Sequence, residues 1–383
     1  MPNKIRLFFA GDFCSKPSTS LISVSDELRN LIQSCDFKLV NFEVPLKPDS
    51  SLPQINYERF YQNDDAPAFL KNLGFNLFPM ANNHAFDWGE EGYKKTKAVF
   101  GNNAFGAGTY DEAYKVKIIE TEGIKIGFLA LTFASRFGVF HDVTRRTGYG
   151  CAFINDLKVN HLIMEAKREV NYLIILPHDG LEFIDAPMPE IIARYRDFID
   201  YGADAVIGSH PHCPQGWEEY KGKPIFYSLG NLFFNSKDPS YRAWNRPHWY
   251  EGLCVVLELV DNQIQYAVYN TRNKDNVALL IDTEHEKERN DHNKKLCAYL
   301  KNEELYLQYL KSAIGKSASY DLNILDASIY GGGIKTYIKT FVKRWKGRLK
   351  GVKKQSDPLV EEFLKNDSRR NAVLRYINSK RYE

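Results

Sequence analysis

Residues 171–180 read NYLIILPHDG, an apolar run that is followed at once by a histidine, an acid and a glycine. Residues 203–212, with the sequence ADAVIGSHPH, show the same arrangement with two histidines at the end. Short apolar runs bounded by glycine or proline are typical of buried strands. The runs at 172–176 and 205–207 are therefore predicted strands whose carboxyl ends carry polar side chains.

Five more apolar runs extend this pattern and alternate with helical ones. The further strands are predicted at residues 5–10, 38–42, 76–80, 125–132 and 224–229. Helices are predicted at residues 25–35, 66–73, 89–100, 157–170 and 189–201. Residues 252–259 and 263–269 predict a closing hairpin around Asp261 and Asn262. Strands that alternate with helices predict an α/β fold, in which ligands bind beyond the carboxyl ends of the strands.

The character of the sequence changes near Leu279. Residues 284–311 are rich in charge and leucine and predict one or two surface helices, whereas residues 318–333 predict a loop that ends in three glycines. The predicted domains are a catalytic-type domain at 1–275, a helical extension at 276–330 and a basic C-terminal segment at 331–383.

The basic segment at residues 334–354 carries nine Lys or Arg and no acid, and its apolar residues recur at helical spacing. A basic face opposite tryptophan, phenylalanine and isoleucine suits a helix that lies on an anionic membrane surface. The alternative is a helix that packs on the preceding domain and exposes its basic face to water.

Composition narrows the class of protein. Lys and Arg number 51 against 48 Asp and Glu, so the net charge of +3 indicates no particular partner. The six cysteines are scattered without a C-x-x-C pair, which suits free thiols in a reducing compartment. No signal-peptide pattern is present, and no apolar run approaches the ~20 residues that span a bilayer. We expect a cytoplasmic protein, free or peripheral to a membrane.

Several enzyme and binding classes lack their sequence signature. The chain has no G-x-S-x-G nucleophile elbow, no P-loop and no strand-linked dinucleotide fingerprint. Its basic stretches lack the interleaved aromatic residues of RNA-binding modules. We therefore expect no nucleic-acid partner.

Two of the early strands end in carboxylates. Asp12 follows a glycine turn after the first strand, where a carboxylate can bind a divalent ion, although a turn aspartate that caps the next segment shows the same pattern. Asn41 and Glu43 lie two residues apart and share one face of an extended chain. Glu43 is a candidate bridge between two metals, and the alternative is a salt-bridged surface glutamate.

An Asn-Asn-His triplet at residues 82–84 follows the third strand. Buried amides and imidazoles need polar partners, and the Asn83 carbonyl oxygen is a weak neutral metal ligand. His84 titrates near neutral pH and is a candidate general acid, with Asp87 in the turn that follows. The alternative is an asparagine-rich turn in which His84 caps the next segment.

Three more histidines follow strands. His178 is a candidate ligand, with Glu182 four residues on as a carboxylate that could orient it, although a satisfied core histidine is the alternative. His210 and His212 flank Pro211, which biases His210 to an extended conformation. Two imidazoles at positions i and i+2 of an extended segment share one face, which favours metal binding.

Three histidines, two carboxylates and an asparagine suit one or two divalent ions of the Mn, Fe, Zn or Mg type. Two such ions ~4 Å apart can clamp a phosphate and generate hydroxide from water. The pattern predicts a divalent metal centre and leaves the identity of the metal open.

The chain resembles the CapA family of bacterial capsule and poly-γ-glutamate synthesis proteins (PGA_cap). The resemblance covers roughly residues 4–270 and is carried by matching blocks in family order. These blocks are Gly11-Asp12, residues 41–46, residues 81–89, residues 106–108, residues 178–182, residues 208–212 continuing through Gln215, Glu218 and Tyr220, and residues 227–231.

That family looks like a branch of the calcineurin-like metallophosphoesterases, which implies a four-layer αββα sandwich with a metal centre at the strand ends. The resemblance implies that Asp12 and His212 hold one metal and that Glu43 bridges to a second. The second would be held by Asn83, His178 and His210, and His84 would be the acid that contacts phosphate. Residues implied to support the site or contact substrate are Asn41, Asp87, Glu182, Gln215, Glu218 and Asn231.

Two positions depart from the family pattern. Cys14 stands where the superfamily's D-x-H motif has histidine, and Asp179 stands where the family often has tryptophan. The expected function is a metal-dependent phosphoesterase-like hydrolase in capsule or cell-surface polymer biosynthesis. Its substrate would be a small molecule or polymer that is phosphorylated or anionic. The alternative is a non-hydrolytic accessory or assembly factor of the polymer synthesis machinery, which the missing histidine favours.

Overall fold

The computed structural model describes a large part of the chain. The described residues are 4–49, 59–133, 138–140, 147–235, 246, 248–275 and 277–330, with side chains described as far as Lys316. The chain divides into one compact unit of residues 1–53 and 59–306 and a second of residues 54–58 and 307–383. The predicted domain boundaries at 275 and 330 stay predictions.

Strands and helices alternate through the first unit, as predicted. The strands are β1 Ile5–Ser15, β2 Ser23–Val24, β3 Phe37–Phe42, β4 Phe78–Pro79, β5 Ala104–Phe105, β6 Ala107–Gly108, β7 Lys117–Thr121, β8 Ile124–Thr132, β9 Gly150–Cys151, β10 Tyr172–His178, β11 Ala205–Ile207, β12 Trp217–Tyr220, β13 Lys223–Phe226, β14 Asn231–Asn235, β15 Glu251–Val260, β16 Gln263–Lys274 and β17 Ala278–Ile281. The α-helices are α1 Asp26–Gln33, α2 Ala66–Leu73, α3 Gly89–Phe100, α4 Tyr110–Ala113, α5 Lys158–Glu169, α6 Pro189–Asp200, α7 Glu286–Leu300 and α8 Glu303–Tyr330. Two short 3₁₀ helices are Thr19–Leu21 and Gly101–Asn103.

The first sheet has seven strands and is organised around β1. Strand β3 runs parallel to β1 on one side, and on the other side β1 pairs first with antiparallel β15 and then with parallel β14. The change of partner falls at Gly11 and Asp12, where the register of β1 also shifts. The sheet continues through β16, β17 and β2, and β15 and β16 form the predicted hairpin.

The second sheet has six strands in the order β12-β13-β11-β10-β8-β7. Its four central strands, β13, β11, β10 and β8, are parallel, and the two edge strands are antiparallel to their neighbours. The carboxyl ends of the parallel strands therefore lie along one edge, where His178 and residues 208–212 follow β10 and β11.

Side chains alternate between the two faces of each sheet, and the faces of the two sheets that point inward share one hydrophobic core. Phe128 of β8 and Ile174 of β10 join the same buried cluster as Leu7 and Leu257 of the first sheet. Helix α5 contacts β8 and β10, and α6 contacts β11 and β13. Helix α1 packs against β17 and α2. Helices thus cover two central sheets, and the predicted four-layer αββα sandwich is confirmed.

Local sequence explains where most helices begin and end. Ser25 caps α1 by accepting a hydrogen bond from Leu28 N at 3.3 Å, which makes it the cap of the helix predicted at 25–35. Helix α2 ends at Gly74, whose φ of 107° favours glycine. Helices α7 and α8 confirm the one or two helices predicted at 284–311, and α8 continues beyond that range.

The loop predicted at residues 318–333 is wrong as far as Tyr330, because α8 continues to that residue. The stretch 318–330 contains no glycine or proline, and the helix propensities of its alanine, leucine and isoleucine residues outweigh the turn preferences of serine, aspartate and asparagine. The basic segment 334–354 lies outside the described residues. No helix in the part of the chain that the structure describes is long and apolar enough to cross a bilayer.

Candidate metal centre

The irregularity in β1 positions Asp12. A Cβ atom on Gly11 would lie 1.9 Å from the carbonyl oxygen of Gly230, so a side chain at this position would collide with the neighbouring backbone. Asp12 N donates to the same carbonyl at 3.0 Å. The close approach of β1 and β14 fixes the backbone at Asp12, and its fully buried carboxylate lies next to Asn41 of β3 and His178 of β10.

Asp12 is contacted from four directions. Asn41 Nδ2 donates to its Oδ1 at 2.7 Å, and the backbone N of His210 donates to its Oδ2 at 3.1 Å. His212 Nδ1 lies 3.5 Å from Oδ2, and His178 Nδ1 lies 3.7 Å from Oδ1. Burial raises the pKa of Asp12 in spite of these partners. The carboxylate thus joins the strand ends of both sheets.

Glu43 follows β3 and is fully buried beside Asp12. Neither of its carboxylate oxygens makes a hydrogen bond within the described residues. His212 Nε2 lies 3.4 Å and His178 Nε2 lies 3.9 Å from Oε1. Burial, and next the neighbouring Asp12, raise the pKa of Glu43 well above its usual value. A buried carboxylate without a hydrogen bond is costly unless a cation completes its surroundings.

His210 and His212 adopt positive φ values of 101° and 56°. The extended conformation predicted for this segment is therefore wrong. The backbone N of His210 bonds to Asp12 and Ser209 bridges to His178, so tertiary contacts override the local bias of Pro211. Non-glycine residues held at positive φ occur where the surrounding structure fixes them, often at functional sites.

His210 is fully buried, and both of its ring nitrogens lack hydrogen bonds among the residues described. Burial lowers its pKa to about 3, so the ring is neutral and retains a lone pair. Its ring centroid lies 4.8 Å from that of His178 and 6.0 Å from that of His212. The three histidines therefore form one cluster.

His178 lies at the end of β10. Its Nε2 is 2.8 Å from Asn83 Oδ1, and its Nδ1 is 2.9 Å from Ser209 Oγ and 3.2 Å from Asn41 Nδ2. Burial, and next His210, lower its pKa well below the usual value. The described hydrogen bonds of the His178 ring go to these three residues, and the charge of Glu182 acts on His210, whose pKa it raises against the effect of burial. A supporting role for Glu182 stays a prediction.

His212 is held by Asn231 of β14. The Nδ1 of His212 lies 2.9 Å from Asn231 Oδ1, while Asn231 Nδ2 donates to the carbonyl oxygen of Trp249 at 3.0 Å. This amide fixes the ring so that Nε2 faces Glu43. Asn231 therefore has the position expected of a residue that orients a metal ligand.

His84 and Asp87 form a pair at the edge of the cluster. His84 Nδ1 lies 2.9 Å from Asp87 Oδ2, and Asp87 Oδ2 also accepts from Phe60 N at 3.1 Å. Burial alone would lower the pKa of His84, but Asp87, with Glu182 and Asp12, outweighs it and the pKa is raised. The side chain of His84 is 22% exposed, against 5% for Asp87, so His84 is the member of the pair that solvent reaches.

Two residues expected to support the site lie apart from it. Glu218 on β12 accepts two hydrogen bonds from Arg196 at 2.8 and 2.7 Å and one from Tyr227 at 2.6 Å, because this edge strand faces α6. Gln215 Nε2 donates to the Ile184 carbonyl at 2.7 Å and fastens one loop to another. Neither contacts the proposed ligands.

Sequence reasoning missed Ser209, which contacts His178, and gave no separate role to Asn82. Asn82 Nδ2 donates to Asn41 Oδ1 at 3.2 Å and to the Phe42 carbonyl at 3.1 Å. Both residues immediately precede a proposed ligand in the sequence, and this was the feature from which their roles could have been inferred. Cys14, where the superfamily has histidine, is fully buried in an apolar cluster with Val44 and Trp249.

The residues present fit a divalent cation. Donor atoms of Asp12, Glu43 and His212 all lie within 4.8 Å of one another. Within this cluster, the buried atoms without hydrogen bonds belong to Glu43 and His210, so the unsatisfied groups here are those that a cation would bind. Carboxylate and imidazole donors suit metals of the Mn, Fe, Zn or Mg type.

Comparison with known proteins places the chain in a family. The model of the bacterial capsule synthesis protein PGA_cap family matches residues 7–236. The chain is similar to the PGA biosynthesis protein CapA of Bacillus subtilis (strain 168), with 29% identity over 230 residues, 58% of this chain and 58% of that protein. It is also similar to the capsule biosynthesis protein CapA of Bacillus anthracis, with 27% identity over 245 residues, 60% of this chain and 56% of that protein.

The chain thus spans between half and two thirds of the length of these two relatives. Among solved structures, a protein described as a novel phosphatase of Mycoplasma pneumoniae aligns with a TM-score of 0.43 and 17% identity, over 70% of this chain and 94% of that one. The family match covers more than half of the sequence, and the chain belongs to the bacterial capsule synthesis protein PGA_cap family.

Proposed function

We propose that this protein is a metal-dependent phosphoesterase-like hydrolase that acts in capsule or cell-surface polymer biosynthesis. The observation that carries the proposal is the set of buried atoms without hydrogen bonds at Glu43 and His210, inside a cluster of imidazoles and carboxylates. Burial of such atoms is unfavourable in isolation and becomes favourable when a cation is bound.

Each side chain has a distinct part in holding metal. Asp12 and His212 would hold one divalent ion, and Glu43, between His212 and His178, would bridge to a second. Asn83, His178 and His210 would complete the second site. Bound divalent ions supply Lewis acidity toward a phosphoryl oxygen and lower the pKa of water. Asn41 and Asn231 orient the ligands by hydrogen bonds to Asp12 and His212.

His84 would protonate the leaving oxygen. Its Nδ1 faces Asp87, so the opposite ring nitrogen is the one that remains to give a proton to substrate. Asp87 holds the ring in place and favours the protonated form. Because His84 is partly exposed whereas Asp12, Glu43 and the three histidines are buried, it lies where substrate meets solvent.

The proposed substrate is a small molecule or polymer that is phosphorylated or otherwise anionic. A cationic metal centre and a protonated His84 attract negative charge. Membership of the PGA_cap family supports a role in capsule or poly-γ-glutamate production, since the relatives are named for those polymers. A cytoplasmic location and contact of residues 334–354 with an anionic membrane remain part of the proposal.

A non-hydrolytic accessory factor is the second candidate. The observation that favours it is Cys14, which stands where the D-x-H motif has histidine and is buried among Val44 and Trp249. The set of possible ligands therefore has one imidazole fewer. A metal centre with one ligand fewer would bind its first ion more weakly and turn over more slowly.

Hydrolysis and metal content measured on the same preparation separate the two candidates. The protein is loaded with Mn²⁺, Fe²⁺, Zn²⁺ or Mg²⁺ and assayed against phosphomonoester and phosphodiester substrates. Metal-dependent hydrolysis that is lost in Asp12→Asn supports the enzyme. Bound metal without hydrolysis under any condition ends the enzyme proposal and leaves the accessory role.

A further inference from the structure

A second group of possible metal ligands lies apart from the Asp12 centre. Asp185 lies between β10 and α6, His248 precedes β15, and His292 lies on α7. Asp185 Oδ2 is 3.2 Å from His292 Nε2 and 3.8 Å from His248 Nε2. The three donor atoms all lie within 4.8 Å of one another. These residues are the Asp185 cluster.

His248 is oriented as metal-bound imidazoles are. Its Nδ1 lies 2.6 Å from Glu251 Oε2, so that nitrogen carries the proton and donates to the carboxylate. In the neutral ring the lone pair is then on Nε2, the nitrogen that faces Asp185. A carboxylate behind a histidine fixes the tautomer in this way at many metal sites. His248 also has a positive φ of 63°, so its backbone is held by its surroundings.

His292 supplies the second imidazole. Its ring stacks on that of His248 with centroids 4.8 Å apart and planes inclined by 18°. Its Nε2 is buried and makes no hydrogen bond within the described residues, although Asp185 Oδ2 is only 3.2 Å away. A simple histidine–aspartate pair would satisfy this nitrogen with a hydrogen bond. Two ligand atoms of one metal ion lie close together in this way without a hydrogen bond between them, because both face the ion.

The charges around the cluster favour a cation. Asp185 and Glu251 bring two carboxylates, and Arg289 brings one guanidinium that pairs with Glu251 and lies 3.4 Å from His248 Nδ1. His248 and His292 are each about one quarter exposed, so an ion can enter from solvent.

We propose that Asp185, His248 and His292 bind a zinc-class divalent cation in a second metal centre that ties α7 to the loops beside β15. Zinc binds imidazole nitrogen and carboxylate oxygen at about 2.1 Å, which separates tetrahedral donors by about 3.4 Å. The observed 3.2 and 3.8 Å bracket that separation. His248 and His292 lie beyond residues 7–236, so the centre belongs to this chain and not to the part that the family model matches.

Zinc binding to the full chain tests this centre. The His210→Ala, His212→Ala variant removes one ligand from each of the two ion positions of the other centre, and it is stripped with chelator, loaded with Zn²⁺ and desalted before its zinc content is measured. We expect it to retain about one zinc per chain. Adding His292→Ala removes that zinc, whereas adding His161→Ala, at a 68% exposed position on α5, leaves it in place.

The proposal is overturned if the parent variant retains no zinc, or if His292→Ala retains as much zinc as its parent. A second measurement uses His292→Gln, which keeps a polar side chain on α7. Zn²⁺ should raise the Tm of the His210→Ala, His212→Ala parent and leave the Tm of its His292→Gln derivative unchanged. An equal rise in both would contradict zinc binding at His292 even if the alanine variant folds poorly.

Discussion

The Asp12 centre and the Asp185 cluster have the same kinds of metal ligand, carboxylates and imidazoles, but different structural elements hold them. In the first, ligands follow β1, β3, β10 and β11, so the sheets fix their positions and nearly all are fully buried. In the second, ligands come from two loops and a helix, and the histidines are partly exposed. A metal lost from the first would leave buried polar atoms without partners. A metal lost from the second would leave one such atom, His292 Nε2, beside the ion pair of Glu251 with Arg289.

Under the two proposals, the buried centre would serve catalysis and the partly exposed cluster would tether α7. Burial strengthens electrostatic interactions and makes unsatisfied groups expensive, so the Asp12 centre stores unfavourable free energy that a metal relieves. The Asp185 cluster connects α7 to the sheets, and metal there would act on stability alone.

Glu43→Gln has the largest expected effect. Loss of the bridging carboxylate should lower metal-dependent hydrolysis about 10³-fold, because charge stabilisation in the transition state is lost. The metal-free protein should become more stable by about 1 kcal/mol, since a buried carboxylate without hydrogen bonds becomes a neutral amide. Turnover and urea unfolding of the metal-free protein measure the two effects. Lower metal-free stability would contradict the strain assigned to Glu43.

His84→Ala should lower turnover about 100-fold while the metal content of both centres stays at the wild-type level. The reason is that His84 contacts Asp87 and not the proposed ligands. Asp87→Asn keeps the ring near its position and should have a smaller effect. Turnover at saturating substrate together with metal content is the measurement. A fall in metal content with His84→Ala would show that this side chain supports the cluster and does not serve as the acid.

Much of the Asp12 centre could be predicted from sequence because its ligands follow apolar runs. A short buried strand fixes where the next polar residue lies, so Asp12, Glu43, His178 and His210 could be placed at one edge without a structure. The positive φ values of His210 and His212 could not be predicted from sequence. They depend on contacts with Asp12, which lies 198 residues before His210 in the chain.

The Asp185 cluster shows what sequence patterns leave out. Asp185 and His248 stand in loops without periodicity, and His292 lies on a polar helix whose docking depends on tertiary contacts. The bonds of Glu218 to Arg196 and Tyr227 are another example, since membership of a matching block did not indicate which way an edge strand faces. The continuation of α8 to Tyr330 similarly reflects helix propensity over a stretch without a breaker.

Asn231→Ala should weaken metal binding at the Asp12 centre about 10-fold, because the amide that orients His212 is removed. Glu218→Gln is the matched control, since its bonds go to Arg196 on α6 and to Tyr227 just after β13, and no effect on metal affinity is expected. Calorimetric titration with Mn²⁺ compares the two variants. Equal weakening in both would remove the distinction between residues that support the centre and residues that support the fold.

Removal of residues 331–383 has the smallest expected effect on either centre. The nine basic residues at 334–354 should add binding to anionic vesicles, with about 1 kcal/mol from each residue near the surface. Pelleting with phosphatidylserine vesicles at low and high salt measures it, and neutral vesicles are the control. Equal pelleting with and without the segment removes the membrane from the proposed partners.

Metal content of the His210→Ala, His212→Ala double variant tests the central claim most directly. Both it and its parent carry His292→Ala, so that metal at the Asp185 cluster does not contribute. The parent should hold one or two divalent ions per chain, and the double variant should hold none, while its fold by circular dichroism stays unchanged. Equal metal content in the two proteins would contradict a metal centre built on Asp12, Glu43 and the three histidines.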